Sequence, residues 1–447
     1  MRYVTAVVGA VAAAAASAFP TVENWERLAR RDGSPSLLTE RSVEALSGQL
    51  ARLKEKRLLF DPLTEPIDVS GEHAFKAPDF KNGDLRGPCP GLNALANHNY
   101  IPHNGVVSLT DVIEQANTVF GMSIDLVGIL AVVATVYVGT PLSSNPGFSI
   151  GGPPKSSPSG LLGNLLGLLG KPRGLDGTHN IIESDSSATR NDLYHTGNAH
   201  TMDMALFRKM LKLAGDDGFI TMDDLGDRAV ERFYESIATD PTFYYGPYTG
   251  TIARNAGYAF MGRFLSNHTK EYPLGGHLSK EVLSSFLGVH DENGTQVYRE
   301  GHERIPANWY RLAVDYSLVD YNLDLVAWAI KHPVLLSIGG NLGKVNTFAG
   351  VDIANLTGGV LNAAALLQGN NLVCFALNVV KTLVPSSVTS SLLATLAPVL
   401  QLVDDVLLHP LLDLSCPAFA DLTLGGEDLF SALLDRYPGA RQSGMAL

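Results

Sequence analysis

Two prolines bracket a lone cysteine in the stretch GDLRGPCPGLNALANHNYIPHNG, residues 83–105. Each proline drives the residue before it out of the helical region, so Gly87 and Cys89 are expected to be extended. Pro90 suits the first position of a helix, because its missing N–H would have no partner there anyway. Cys89 then becomes the N-cap of a helix expected over about 90–99. Its sulfur faces the free N–H groups of Gly91 and Leu92 and the positive end of the helix dipole, and both favour thiolate over thiol. Gly91 lets a flat ligand approach the backbone closely. The pattern predicts an anchored, exposed, electron-rich sulfur. It could act as a nucleophile, a redox thiol or an axial haem ligand, and spacing alone does not choose among them.

The compartment bears on that sulfur. The chain opens MRYVTAVVGAVAAAAASAFP: Arg2 in the n-region, an apolar run from Val4 to Ala16, and small residues at Ala16-Ser17-Ala18. This reads as a secretory signal over 1–18. An oxidising compartment favours paired cysteines, and there are three. One pairing open to them joins Cys374 and Cys416, both in the C-terminal region, and leaves Cys89 over; a different pairing, or Cys89 as a plain buried thiol, is the alternative reading. Asn267, Asn293 and Asn355 each begin an N-glycosylation triplet. The net charge of -12 argues against nucleic acid or an anionic membrane surface as partner.

Along the chain the helical period dominates and strand signals are sparse. Residues 21–60 carry a charged, helix-like stretch that reads as a pro-segment or a surface helix. Residues 108–140 read as a long apolar helix or a helix pair; Asp111, Glu114 and Asp125 make it a core element and not a membrane span. Residues 141–174 are rich in Gly, Pro and Ser and read as a long loop with one amphipathic turn at 161–169. Helices are also expected within 200–239, at 279–289 and at 309–333. DDGFITMDDL resembles part of a calcium loop but lacks the full ligand spacing. From about 334 the chain becomes rich in Gly, Asn, Leu and Val, with few charges.

PCPGLNALANHNYIPHNG closely resembles the proximal cysteine motif of the fungal haem-thiolate peroxidases, the family of chloroperoxidase and unspecific peroxygenase. That family's second mark is Glu-x-Asp with a following Ser, and Glu183-Ser184-Asp185 with Ser187 resembles it. The stretches NHTKEYP, KEVLSSF and GHERIPANWY look like its later region. The resemblance implies a mainly α fold: one helical domain over 61–333, preceded by a segment 19–60 and followed by a Gly/Leu-rich extension, 334–447, packed on it. It implies haem b with Cys89 as the axial thiolate, which favours cleavage of the peroxide O–O bond. It implies Mg²⁺ held by Glu183, the Ser184 carbonyl and Ser187, hard oxygens for a hard cation. The acid–base carboxylate is expected at Glu271, with Glu281 behind it and Arg263 or His268 as an orienting group. His98 and His103 flank the expected helix and read as hydrogen-bonding partners at its end before anything else. The implied activity is a secreted peroxidase or peroxygenase acting with hydrogen peroxide on small organic substrates, aromatic ones among them. Two alternatives stand beside it: an oxidase dedicated to one secondary-metabolite pathway, and a haem-binding secreted protein with little turnover.

Overall fold

The computed structural model describes residues 60–140, 145–154, 172–272, 275–352, 354, 362–372, 374–375, 423–424 and 427–443. The expected leader, the segment 19–59, the turn at 161–169, Asn355 and Cys416 lie outside the described residues.

Helix α1 (Pro90–Asn97) starts at the proline, with Cys89 extended before it at φ -91 and ψ 106. It stops short of 99 because Asn99 turns left-handed, φ 55, a conformation that ends helices. Strand β1 (Val106–Ser108) leads into α2 (Leu109–Phe120), where the Ser108 hydroxyl accepts the N–H of Asp111 at 3.1 Å. Gly121, at φ 74, ends α2, and α3 (Ile124–Val138) follows, so the apolar run is a helix pair. A Cβ on Gly121 would lie 2.6 Å from the Arg311 guanidinium. That guanidinium donates to the carbonyls of Asn117 at 2.7 Å and Thr118 at 3.3 Å at the end of α2, the first of which also accepts the Gly121 N–H at 3.0 Å.

Strand β2 (Gly147–Ser149) pairs antiparallel with β1. It sits inside the stretch expected to be loop. Its glycine is there for close approach: a Cβ on Gly147 would be 2.1 Å from the Val107 carbonyl oxygen. Next come α4 (Met204–Leu211), β3 (Phe219–Ile220) and α5 (Met222–Thr239). Thr221 and Asp224 form a reciprocal capping box at the start of α5, so DDGFITMDDL starts a helix. Strand β4 (Tyr244–Tyr245) and a π-helical stretch, Thr249–Arg254, run into α6 (Asn255–Phe264). Strand β5 (Leu278–Ser279) pairs with β3 and precedes α7 (Lys280–Phe286). A hairpin, β6 (Val289–Glu292) and β7 (Thr295–Tyr298), turns at Asn293-Gly294. Helix α8 (Leu318–Lys331) is shorter than expected, because Ser317 and Asp320 cap it only after the non-helical stretch 309–317.

Described residues beyond 334 join the same body. Strands β8 (Ile338–Gly340) and β9 (Ala349–Val351) extend β4 into a three-stranded sheet ordered β4-β8-β9. Helix α9 (Leu429–Arg436) ends at Tyr437, whose hydroxyl donates to the Ala349 carbonyl at 2.8 Å. Cys374 is disulfide-bonded. Among the described residues no helix is long and apolar enough to cross a membrane. An aromatic triangle locks the helices behind the cavity: ring centroids of Phe120 and Trp309 are 5.9 Å apart, Phe286 and Trp309 5.3 Å. Such pairs add roughly 0.5–1.5 kcal/mol each beyond the area they bury.

Candidate active site

Cys89 is a free thiol on the wall of a deep, mostly apolar cavity with an empty volume of about 1580 Å³, mouth included. Leu95, Phe120 and Leu287 surround the cysteine side; Ala131 and Ala134 of α3 and Phe260, Met261 and Phe264 of α6 build other walls. Gly91 and Gly257 also line it. A Cβ on Gly257 would meet nothing within 4 Å, so that helix face opens onto free space. Apolar walls, one free sulfur and the bare backbone face at Gly257 suit a flat hydrophobic group.

The sulfur is less exposed than its sequence implied. Burial dominates and pushes the Cys89 thiol up from its ordinary range. The amides of Leu92 and Gly91 and the charge of Arg190 pull the other way. The helix terminus therefore does what the proline pattern predicted, but desolvation outweighs it. A coordinated metal cation reverses that balance, because a ligating thiol is deprotonated outright.

Glu183, Ser184 and Ser187 line the same cavity, so the two separated motifs meet in one site. The loop carrying them is tightly held. Ser186 is left-handed at φ 59. Its N–H donates to Asp192 Oδ1 at 2.7 Å. Its carbonyl accepts from Arg254 Nε at 3.2 Å and from the Tyr258 hydroxyl at 2.9 Å. Asp185 points away from the cavity and accepts the Tyr244 N–H at 3.2 Å. Glu183 accepts from His179 Nδ1 at 2.8 Å. Burial opposes the His179 charge, but Asp185 and Glu183 outweigh it and push the imidazole up to about 9. Asp185, Asp192 and Asp240 bring carboxylate oxygens within 4.8 Å of one another behind this loop, with Arg232 on Asp192 at 3.1 Å. The Ser184 hydroxyl donates to the Thr249 carbonyl at 2.9 Å and so is committed to the fold.

The expected distal group is not in this site. Glu271 is exposed on a surface loop, and Glu281 is exposed on α7; neither lines the cavity. Arg263 is bound by Asp324 through Nε at 2.8 Å and a second nitrogen at 2.6 Å. Buried His268 bonds the Arg263 carbonyl through Nε2 at 2.8 Å. Neither reaches the cavity wall. The motif spacing pointed to a carboxylate there, but the chain after Ser266 leaves α6 for the surface before Glu271. Among the described residues, Glu183 is the sole carboxylate on the cavity wall, beside the cations Arg190 and Arg254. The two histidines near α1 are structural. His98 Nδ1 donates to the His73 carbonyl at 2.7 Å while Nε2 accepts the Ile305 N–H at 3.2 Å. His103 Nδ1 bonds the Ala96 carbonyl at 2.9 Å.

Sequence reasoning missed Arg190, Arg254, Tyr258 and Met261. Arg254 had a signal: an arginine inside the apolar stretch TGTIARNAGYAFMGRF needs buried carbonyls to satisfy it.

A thiol presented at a proline-started helix and a Glu-Ser-Asp loop on the wall of the same apolar cavity bring together the two motifs that resemble those of the haem-thiolate peroxidases. The sequence model of the family described as Peroxidase, family 2 matches residues 73–314. An aromatic peroxidase of Fusarium equiseti is 55% identical over 87% of this chain and 88% of that protein. A dothistromin biosynthesis peroxidase of Dothistroma septosporum is 42% identical over 75% of this chain and 78% of its own length. An aromatic peroxygenase of Coprinellus radians is 32% identical over 46% of this chain and 76% of that protein. The chain belongs to peroxidase family 2, and it is a peroxidase or peroxygenase that uses hydrogen peroxide and an organic substrate.

Proposed function

We propose that the protein is a secreted haem-thiolate peroxidase or peroxygenase with Cys89 as the axial ligand and an apolar, aromatic substrate. The single observation that carries this is the free Cys89 sulfur at the start of α1, on the wall of a mostly apolar cavity that it shares with Glu183, Ser184 and Ser187. Bound there, haem supplies the redox chemistry that makes hydrogen peroxide an oxidant. The protein's own groups do the rest. The α1 terminus holds the sulfur. The apolar faces of α3 and α6 exclude water and favour a flat hydrophobic substrate. Arg190, buried on the same wall, offers positive charge to an anionic edge of the bound group. A Mg²⁺ on Glu183, the Ser184 carbonyl and Ser187 belongs to the same reading, with Glu183 shared between the cation and His179. Secretion rests on the expected leader. Asn293 is exposed at the tip of the β6–β7 turn and open to a glycan; Asn267 is half-buried, and its side-chain oxygen accepts the Tyr310 N–H at 2.8 Å.

The test is spectroscopic. The purified, reduced, CO-bound protein is expected to show the red-shifted Soret band of thiolate ligation, and Cys89→Ala to lose it. Purification without haem, and without peroxide-dependent oxidation after haem is supplied, defeats the proposal. One relative carries a biosynthetic name, and this favours a second reading: a dedicated oxidase for one aromatic intermediate of secondary metabolism. A panel of simple aromatics separates the two, since a generalist turns over many and a dedicated enzyme almost none.

A further inference from the structure

Helix α1 carries two asparagines one turn apart, and both are buried, Asn93 at 1% and Asn97 at 0% exposure. Asparagine is a poor helix former, so its use here needs a reason. Every polar atom of both amides is occupied. Asn93 Oδ1 accepts the Gly87 N–H at 3.0 Å, and Nδ2 donates to the Gly87 carbonyl at 2.9 Å. One side chain thus holds both backbone groups of the residue two positions before Cys89. Gly87 is fixed from its other side as well: a Cβ there would lie 2.1 Å from the Ile150 carbonyl oxygen and 2.7 Å from Asp176 Oδ1. Asn97 repeats the theme one turn on. Its Oδ1 accepts from Arg86 at 2.9 and 2.7 Å, and its Nδ2 donates to the Gly301 and Glu303 carbonyls at 2.7 and 2.9 Å.

The remaining proton of Asn93 Nδ2 goes to Glu303 Oε1 at 3.0 Å. Glu303 is 2% exposed, and its other oxygen is buried without a hydrogen-bond partner. A buried carboxyl with half its capacity unused is costly to stability, so packing alone does not account for it. What it does is geometric. Its Oε1 accepts, and this holds Nδ2 of Asn93 to its side and leaves Oδ1 facing the Gly87 N–H. A flipped amide would break all three bonds at once.

We infer that Glu303 is a positioning residue for the axial ligand. Acting through Asn93, it fixes the Gly87–Pro90 turn and so the point and direction from which the Cys89 sulfur reaches a bound macrocycle. This rests on the haem-thiolate reading above and extends it to a residue over 200 positions away in sequence. Glu303 itself touches neither substrate nor haem in this assignment.

The test compares Glu303→Gln, whose amide oxygen can still accept from Asn93, with Glu303→Leu, which cannot. Both are purified as full-length haem-loaded protein. The readout is the reduced-CO spectrum: the share of the red-shifted thiolate band against the shorter-wavelength band of protein whose thiolate bond is lost. Glu303→Gln is expected to match the wild type. Glu303→Leu is expected to raise the shorter-wavelength share roughly tenfold, in line with the loss of one buried hydrogen bond. A readout without haem accompanies it: alkylation of Cys89 in the apoprotein, several-fold faster in Glu303→Leu because the turn is released. If the Leu variant cannot be obtained folded, Asn93→Ser makes the same comparison, since it keeps a short polar group but not the two-point hold on Gly87. A merely structural role lowers the melting temperature and leaves both readouts at the wild-type value; that result overturns the assignment. A wild-type protein with no red-shifted band instead overturns the haem-thiolate reading itself, so the two failures are told apart.

Discussion

At the scale of single residues, burial decides more than sequence neighbours do. Cys89 has the helix amides that its sequence promised, and the charge of Arg190 besides, yet desolvation still pushes its thiol up. His268 shows the same force acting on a base. Burial, opposed by the Arg263 carbonyl and reinforced by the nearby charges of Arg263 and Arg311, depresses its imidazole to about 4. The folded protein therefore holds His268 neutral, while the unfolded chain takes up a proton near 6.5. Stability from this group is full above about 6.5 and falls as pH drops toward 4, by at most ~3 kcal/mol. His268→Gln is expected to flatten the urea midpoint across that window; an unchanged pH dependence in the variant would show that another group titrates.

At the scale of elements, most of the frame was legible because it is local. The capping pattern of Ser108 with Asp111, the glycine stop at 121 and the proline start at 90 are written in consecutive residues, and the helices follow them. Thr221→Ala removes a side-chain cap and half of a capping box from α5, and about 1 kcal/mol of stability is expected to go with it, read as a lower melting temperature with unchanged activity. Strand β2 was not legible: its Gly-Phe-Ser carries no alternation, and its pairing with β1 is settled by backbone close approach. The start of α8 was misplaced for a similar reason. Residues 309–317 have helical-looking composition, but Trp309, Arg311 and Tyr316 are drawn into the core, with Arg311 spent on the end of α2.

At the scale of the whole molecule, the site depends on segments far from it. Strand β8 pairs with β4, and β4 donates the Tyr244 N–H to Asp185 behind the Glu183 loop. Phe348, just before β9, packs on Phe233 at 5.2 Å and on Phe243 at 6.0 Å between ring centroids. A chain ending at Pro333 is expected to lose this sheet, to bind a hydrophobic dye and to retain haem poorly. Truncation that leaves the melting transition and haem retention intact would sink this view of the C-terminal region.

The sequence by itself determined the local devices: a proline-started helix with a cysteine at its head, the helix caps, and the Glu-Ser-Asp loop with its serine. Each is fixed by sterics and hydrogen bonding within a few residues, so it can be read without knowing what packs against it. Only the tertiary structure decided that these devices share one cavity, that Glu271 stays outside it, and that Glu303 sits behind the cysteine turn. Those outcomes depend on which buried polar atoms find each other across hundreds of residues, and no local pattern encodes that.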